Sequence, residues 1–339
     1  MFNVFITESI LRRILLSEGN ARSYLFKIMK GKKRLFASLD SSNGEELLCL
    51  SRKHGLKVET KQSDYIKSLS AHPKLVLQNP SSLFILDIPV IEAEKIQKSF
   101  GVVCISGEKP DVSLLIDTND EHTTNQQEPL GNGWDTVLNS LKAMPSNALL
   151  LCDRYLFSFA SSRMGDGFAN VQNILEALLP QRFLDEYHVT IAFDQTNIHP
   201  SLSFNGIATR LNKIKQELHR DYPVSMEVLG ITPDCAIYNK LHNRRIISNY
   251  YIVKCEHKLA AFNQDKGTSQ QTITPQVLFT EDSLNRHSTP PLKSINQMTT
   301  ALREFSLSLP NFHSHSIYCY ALNGRRIEKC TGIRNRLIE

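Results

Sequence analysis

Short apolar runs alternate with amphipathic segments along most of the chain, and this alternation restricts the fold more than any other feature. The apolar run 83–88 is followed by a helical pattern over residues 90–100, which ends at Gly101, and by a second apolar run at 102–106. Strand-length apolar runs separated by amphipathic helices are typical of a parallel sheet covered by helices. The sequence therefore predicts an α/β fold.

The alternation occurs in two sets, which a polar segment separates, and the chain of 339 residues is long enough for two domains. Residues 1–120 are predicted to form a small, basic, Rossmann-like domain. Residues 121–133 are rich in Gln, Asn and Gly and are predicted to be a linker. Residues 134–310 are predicted to form a second α/β domain, and residues 311–339 a basic C-terminal hairpin and tail.

The second domain is predicted in more detail from its apolar runs. Its predicted strands cover residues 148–152, 189–193, 224–230, 242–248 and 251–255. Its longer predicted helices cover residues 170–179, 207–221 and 294–307. Two polar segments, 264–275 and 282–291, contain few core residues and are predicted to be flexible loops.

Composition excludes several classes of protein. Hydrophobic residues make up 41% of the chain and charged residues 22%, which is typical of a globular protein and argues against long disorder. The seven cysteines are scattered and form no C-x-x-C pair, so neither a zinc ribbon nor a thioredoxin-type motif is indicated. No apolar run reaches the length of a membrane span, and no phosphate-binding glycine loop is present. We expect a cytoplasmic protein without a metal or cofactor.

Lysine and arginine are concentrated at both ends of the chain, although the net charge of +5 is mild. A phosphate backbone could use such clusters as a positioning surface. The candidate phosphate or nucleic-acid contacts in these clusters are Lys30, Lys32, Lys33, Arg34, Arg325 and Arg326. The alternative is that the first cluster is a solvated face and that the arginines of the second only decorate a hairpin.

The stretch 241–249 (L-H-N-R-R-I-I-S-N) combines an imidazole, two guanidinium groups and two side-chain amides. On a strand, His242 and Arg244 would project from the same face, because side chains alternate. A neutral imidazole beside a guanidinium can attack or bind a phosphate, and Arg245 adds a further cation. His242, Arg244 and Asn249 are therefore the candidate catalytic residues. The alternative for His242 is a structural histidine that bonds to the backbone.

The spacing of this stretch is similar to the H-x-K-x4-D motif of the phospholipase D superfamily, with Arg in place of Lys and Asn in place of Asp. In that superfamily the motif histidine attacks phosphorus, a second motif supplies the acid, and basic residues bind the phosphoryl oxygens. The resemblance implies a phospholipase D-like α/β sandwich in the second domain, with His242 as nucleophile and Arg244 as clamp. Since the chain has one motif, the reaction would require a homodimer. Asn249 cannot supply the negative charge that would orient the imidazole.

Residues 145–265 also resemble a wider group of phospholipase D-like domains that carry a single degenerate H-x-R motif. This group includes the C-terminal domain of microtubule-interacting and trafficking proteins and some bacterial proteins of unknown role. The resemblance rests on Asp153-Arg154-Tyr155, Asp194-Gln195-Thr196, the H-x-R pair and the turn 257–262. Such relatives commonly bind phosphate-bearing ligands without cleaving them. The glycine-rich turn usual in the group is replaced here by Glu256-His257-Lys258.

Charged residues stand where several predicted strands end. In an open α/β sheet, ligand sites gather at the carboxyl ends of the strands, so Asp153, Arg154 and Asp194 are predicted to support the site. The commoner role of an aspartate at such a place is to cap a helix or turn. In the first domain, Glu8, Asp87 and Asp117 hold similar places and leave open a metal-dependent nuclease of the PIN-like kind.

The sequence thus predicts a nucleic-acid or phosphodiester-binding accessory subunit whose site is degenerate and non-catalytic. The overall appearance of the sequence, and not a particular motif, suggests a bacterial assembly, such as a phage-defence or mobile-element system. Nucleic acid and a protein are the expected partners. The alternative is a metal-independent phosphodiesterase or nuclease that acts as a homodimer through a phosphohistidine on His242. A third possibility is an interaction domain in which the site has no role.

Overall fold

The computed structural model of the chain describes residues 2–16, 25–26, 28–29, 34–39, 44–109, 115–117, 122–124, 133–158, 166–262, 271–280, 290–307, 317–323, 326–330 and 332–338. The chain divides into two compact units, Met1–Thr118 with Leu278–Leu292, and Asn119–Val277 with Lys293–Glu339. The segment Leu278–Leu292 thus belongs to the first unit, although most of the second unit precedes it in the sequence.

Strands and helices alternate along both units. The described strands are β1 (Asn3–Thr7), β2 (Arg34–Ser38), β3 (Val58–Glu59), β4 (Leu83–Leu86), β5 (Val103–Ser106), β6 (Ile116–Asp117), β7 (His122–Thr124), β8 (Ala148–Cys152), β9 (Tyr187–Asp194), β10 (Val224–Ile231), β11 (Arg245–Ser248), β12 (Tyr251–Cys255), β13 (Gln271–Val277), β14 (Phe279–Thr280), β15 (Ile317–Asn323) and β16 (Arg326–Lys329). The described α-helices are α1 (Glu8–Leu16), α2 (Gly44–Lys53), α3 (Ser63–Ser68), α4 (Val90–Phe100), α5 (Trp134–Val137), α6 (Asp166–Leu178), α7 (Phe204–Glu217), α8 (Tyr238–Leu241) and α9 (Pro290–Leu307). None of these helices is both long enough and apolar enough to cross a membrane.

The first unit is built on a parallel sheet, which confirms the predicted Rossmann-like layer. Its described strands are in the order β3-β2-β1-β4-β5. Phe5, Phe36 and Phe84 lie side by side on three neighbouring strands, and the ring centres of Phe36 and Phe84 are 5.2 and 5.3 Å from that of Phe5. Burial of apolar side chains on both faces is what a parallel sheet between helices requires. Gly101 ends α4 in the left-handed conformation (φ 59°), as the sequence predicts.

The second unit is a mixed α/β layer. Its described strands are in the order β16-β15-β10-β9-β8-β11-β12-β13-β7. The strands β8, β9 and β10 are parallel, whereas β11 runs antiparallel to β8 and begins the antiparallel half of the sheet. Consequently β11 lies in the interior of the sheet, and its first residue, Arg245, is paired with Cys152 at the carboxyl end of β8.

Two segments of the second unit differ from the prediction. The range 121–133, predicted to be a linker, contains β7, which pairs with β13. The range 264–275, predicted to be a flexible loop, contains most of β13. Burial alternates along β13, but Gln271 and Pro275 occupy two of the buried positions, and this hides the alternation in the sequence. Within the range predicted to form the C-terminal hairpin and tail, β15 and β16 pair antiparallel.

Candidate functional site

The carboxyl ends of β8 and β9 carry the charged residues that the sequence predicts to support the site. Asp153 and Arg154 directly follow β8, and Asp194 is the last residue of β9. The backbone N–H of Asp194 donates to the carbonyl of Arg154 (3.3 Å), so the two strand ends are joined. Asp153 and Asp194 are both buried. The three residues therefore lie at one edge of the sheet, and their role in supporting a site stays a prediction.

His242 does not lie on a strand, and this part of the prediction is wrong. It directly follows α8, its backbone is helical (φ −63°, ψ −28°), and β11 begins only at Arg245. The carbonyl of the buried Leu241 accepts a hydrogen bond from the N–H of Arg154 (3.2 Å), which holds the chain in this turn. His242 and Arg244 therefore do not share a strand face by alternation. Their side chains nevertheless both reach Tyr155.

Asn249 lies at the opposite end of β11 and cannot orient His242, which corrects its predicted place in the site. Arg245 pairs with Cys152 at the carboxyl end of β8, whereas Ser248 pairs with Leu149 near its beginning. Asn249 is fully buried there. Its Oδ1 accepts hydrogen bonds from the N–H of Asn147 (3.3 Å) and the hydroxyl of Ser248 (2.9 Å). Its role is to join strand ends in the core.

Two arginines and two tyrosines form a stack at the carboxyl edge, in the order Tyr238, Arg154, Tyr155, Arg244. We call these four residues the arginine–tyrosine stack. The guanidinium carbon of Arg154 lies 4.2 Å from the ring centre of Tyr238 and 5.4 Å from that of Tyr155. Arg244 also lies 5.4 Å from the Tyr155 ring centre. The exposed His242 approaches the same ring edge-on, with 6.3 Å between ring centres. Guanidinium groups favour aromatic faces, so Tyr155 holds both cations in place.

Asp194 anchors the buried end of the stack. Its carboxylate accepts hydrogen bonds from the hydroxyl of Tyr238 (2.7 Å) and from Nε of Arg154 (3.4 Å). It also accepts from the N–H (2.8 Å) and hydroxyl (2.7 Å) of Thr196. Burial, followed by the hydrogen bond and charge of Asp194, raises the pKa of Tyr238, which keeps its hydroxyl protonated as a donor. Tyr238 in turn accepts a hydrogen bond from Arg154. Sequence analysis did not select Tyr238, which lies four residues before His242.

Asp153 holds the turn that follows β12. Its carboxylate accepts hydrogen bonds from the N–H groups of Tyr155 (2.8 Å) and Leu259 (2.6 Å). Burial raises its pKa to about 6, although these hydrogen bonds and the charge of Arg244 act in the opposite direction. Arg244 also donates to the carbonyl of Glu256 (3.0 Å), so the same turn contacts the stack. Asp153 is therefore a positioning residue.

The side chain of Gln271 holds the turn Glu256-His257-Lys258, which stands where the resemblance implies a glycine-rich turn. Its Oε1 accepts from the N–H groups of His257 (3.0 Å) and Lys258 (3.3 Å), and its Nε2 donates to the carbonyl of Lys258 (3.2 Å). Asn170 fixes the end of the same segment by two bonds to the backbone of Phe262. A buried amide in an otherwise polar segment carries no recognisable pattern, so the sequence did not indicate Gln271.

The stack leaves guanidinium N–H groups for a ligand. Within the described residues, Arg154 uses Nε and one terminal nitrogen, and Arg244 uses one terminal nitrogen. Nε of Arg244 is buried and has no hydrogen-bond partner among those residues. The Arg154 side chain is 25% exposed. The arrangement can therefore bind an oxyanion through the remaining N–H groups of two guanidinium groups that lie against the same ring.

The predicted basic clusters are only partly covered by the structure. Lys30, Lys32, Lys33 and Arg325 lie outside the described residues. Arg34 and Arg326 are each the first residue of a strand, β2 and β16, and both are exposed. Arg245 is half-buried at the start of β11. In the second unit, β16 stands at the end of the strand order, four strands from β8, so Arg326 lies away from the stack.

The carboxylates of the first unit form ion pairs and hydrogen bonds with their neighbours. Asp87 accepts a hydrogen bond from the hydroxyl of Ser9 (2.7 Å) and lies 3.9 Å from Arg13. Glu8 lies 3.5 Å from Arg12. Among the residues that the structure describes, no three His, Cys, Asp or Glu side chains come close enough to hold a metal ion.

Comparisons with known proteins add no family to this geometry. No protein-family model matches the chain, and a search of the curated proteins finds no match. What the chain does must therefore be argued from the described residues.

Proposed function

We propose that the second unit is a phospholipase D-like domain that binds a phosphodiester of nucleic acid at the arginine–tyrosine stack without cleaving it. The observation that carries the proposal is the pair of guanidinium groups, each 5.4 Å from the centre of one half-exposed Tyr155 ring. Arginine binds phosphate through a planar fork of N–H donors, and stacking fixes the plane of that fork. A mixed sheet with β11 in its interior agrees with this domain class.

The absence of cleavage follows from the separation of His242 and Asn249. A histidine that attacks phosphorus needs a partner that fixes its tautomer and orientation. Asn249 is occupied at the other end of β11, and the buried carboxylates at this edge, Asp153 and Asp194, are engaged by backbone N–H groups, Tyr238 and Arg154. The exposed imidazole of His242 then serves at most as a weak contact. In a bacterial assembly, such a unit would act as an accessory subunit beside a protein partner.

Binding of labelled single-stranded and double-stranded DNA and RNA, measured in EDTA at two salt concentrations, tests the proposal. We expect Arg244→Gln to weaken binding about tenfold, because a hydrogen bond to a charged group is worth about 1.5–3 kcal/mol. The salt dependence should also fall by about 0.7–0.9 in slope for each lost phosphate contact. Arg303→Gln removes the same charge from the exposed face of α9 and is the matched control. Equal binding by Arg244→Gln and wild type would overturn the proposal.

The alternative of a metal-independent phosphodiesterase is favoured by one observation, the exposure of His242 beside two guanidinium groups. Two chains would have to bring their His242 side chains together, one as nucleophile and the other as acid. The same assay decides this: cleavage in EDTA that His242→Ala abolishes would establish the enzyme. Binding without cleavage, unchanged in His242→Ala, would support the accessory role.

A further inference from the structure

Arg245 and Lys254 stand directly opposite each other on the neighbouring antiparallel strands β11 and β12. Opposite residues of such strands have Cβ atoms about 4.5–5.5 Å apart, and like charges in this position are destabilising. Both side chains are half-buried, so water screens their repulsion only in part. Neither residue belongs to the arginine–tyrosine stack.

No carboxylate of the described residues neutralises this pair. Burial lowers the pKa of Arg245, and Cys152 is the group that opposes this effect. Burial also lowers the pKa of Lys254, and the charge of Arg245 lowers it further. Glu256 follows Lys254 by two positions, but its carboxylate accepts the N–H of Thr272 (3.0 Å). The two cations therefore have a cost in stability that the described part of the chain does not offset.

A hydroxyl extends the row of donors. Lys254 pairs with Thr274 on β13, so Arg245, Lys254 and Thr274 lie side by side on one face of three neighbouring strands. Thr274 is half-buried, like the two cations. A planar guanidinium, an ammonium and a hydroxyl on adjacent strands therefore place three hydrogen-bond donors on one face of the sheet.

We propose that Arg245, Lys254 and Thr274 form a second oxyanion site, which takes a phosphate group. A bound phosphate would offset the repulsion of the two cations, and it would accept hydrogen bonds from all three side chains. The phosphate could be inorganic or part of a phosphodiester, since both present the same anionic oxygens. This second site does not depend on the function proposed for the arginine–tyrosine stack, so each of the two sites can exist without the other.

Thermal unfolding in dilute buffer, with phosphate or with chloride at matched ionic strength, tests the site. A ligand that binds only the folded state raises its stability, so wild type should gain more from phosphate than from chloride. Lys254→Gln keeps most of the aliphatic stem and removes the like charge. We expect its Tm without phosphate to be about 1–2 °C above that of wild type. We also expect the additional effect of phosphate to disappear. Lys213→Gln, which removes an exposed lysine of α7, should leave the phosphate effect unchanged.

Two outcomes would overturn the site: equal stabilisation of wild type by phosphate and chloride, or a phosphate effect that survives in Lys254→Gln. Competition by an oligonucleotide then identifies the source of the phosphate. If the oligonucleotide displaces phosphate, the site takes a phosphodiester; if the two effects are additive, it takes free phosphate. A phosphate effect that persists in Arg244→Gln, when that variant has lost oligonucleotide binding, supports the separation of the two sites. Loss of both in Arg244→Gln would contradict it.

Discussion

The two ends of β11 have opposite characters, although one short sequence motif spans both. At the end that carries Asn249, the neighbouring hydroxyls are buried and bond to one another: the Oγ atom of Ser146 lies 3.0 Å from that of Ser248 and 2.5 Å from the hydroxyl of Tyr187. At the end that carries Arg244 and Arg245, the cations are half-exposed, and Nε of Arg244 has no hydrogen-bond partner among the described residues. A closed network rigidifies the core, whereas an open one is available to a ligand.

The three residues that the sequence predicts to be catalytic are divided between the core and the edge of the sheet. Here Asn249 has become part of the core, while His242 and Arg244 remain at the edge with Tyr155 between them. Substitutions at the closed end should therefore change stability, and substitutions at the open end should change binding.

The largest effect is expected at the closed end. Asn249→Ala removes the acceptor of the Asn147 N–H and the Ser248 hydroxyl in a fully buried place. We expect a loss of about 2–3 kcal/mol in the free energy of unfolding, measured in urea, with unchanged affinity of the folded protein for nucleic acid. Asn205→Ala, at an exposed position of α7, is the control. A destabilisation below about 0.5 kcal/mol would show that the hydrogen bonds of Asn249 contribute little to the free energy of unfolding.

A comparable effect should appear with pH at the open end, through Asp153. Its pKa rises from 3.8 to about 6 on folding, so the folded state binds more protons than the unfolded state between these values. This contribution to stability is therefore present below about pH 4 and is lost as the pH rises through about 6, by about 2–3 kcal/mol. Urea unfolding from pH 4 to 7.5 measures it. In Asp153→Asn the slope should vanish; identical slopes in variant and wild type would assign the pH dependence to another group.

The sequence predicts the positions of strands and strand ends better than it predicts the turn at His242. Strands follow from local patterns, whereas the turn depends on a contact between residues that are distant in the sequence. Apolar alternation is a local signal, so it indicated the two α/β units and placed Asp153, Arg154 and Asp194 at strand ends. The turn at His242 depends instead on the bond between Leu241 and Arg154, which are far apart in the sequence. An H-x-R pattern fits a strand and a turn equally well, and only that contact decides between them.

Lys254 and Gln271 are two further residues whose partners could not be predicted from the sequence. The sequence shows a single lysine within the apolar run Y-I-V-K-C. That this lysine stands opposite Arg245 depends on the register of β11 and β12. Gln271 occupies a buried position that its polarity conceals, and its partners belong to the turn after β12. Register and buried side-chain hydrogen bonds are products of the assembled sheet, and therefore periodicity alone did not reveal them.

A smaller effect, on binding alone, is expected at Tyr155. Tyr155→Leu carries no change of charge, but it removes the ring that holds Arg154 and Arg244. Each contact between a cation and an aromatic ring is worth about 0.5–1 kcal/mol at a partly exposed place. We expect about fivefold weaker binding of an oligonucleotide, measured by fluorescence anisotropy. Tyr155→Phe keeps the ring and should bind like wild type; if both variants bind like wild type, the stack does not organise the site.

The smallest effect is expected at His242, the residue that the motif alone would select first. Its side chain is exposed and meets only the edge of Tyr155, so His242→Ala should change the free energy of unfolding by less than about 0.5 kcal/mol. Oligonucleotide affinity should change by less than about twofold, because an edge contact fixes neither arginine. Urea unfolding and anisotropy, run beside Asn249→Ala and Tyr155→Leu, measure both quantities. A loss of binding in His242→Ala as large as that in Tyr155→Leu would mean that the imidazole contacts the phosphate directly. His242 would then belong to the binding site together with Arg154 and Arg244.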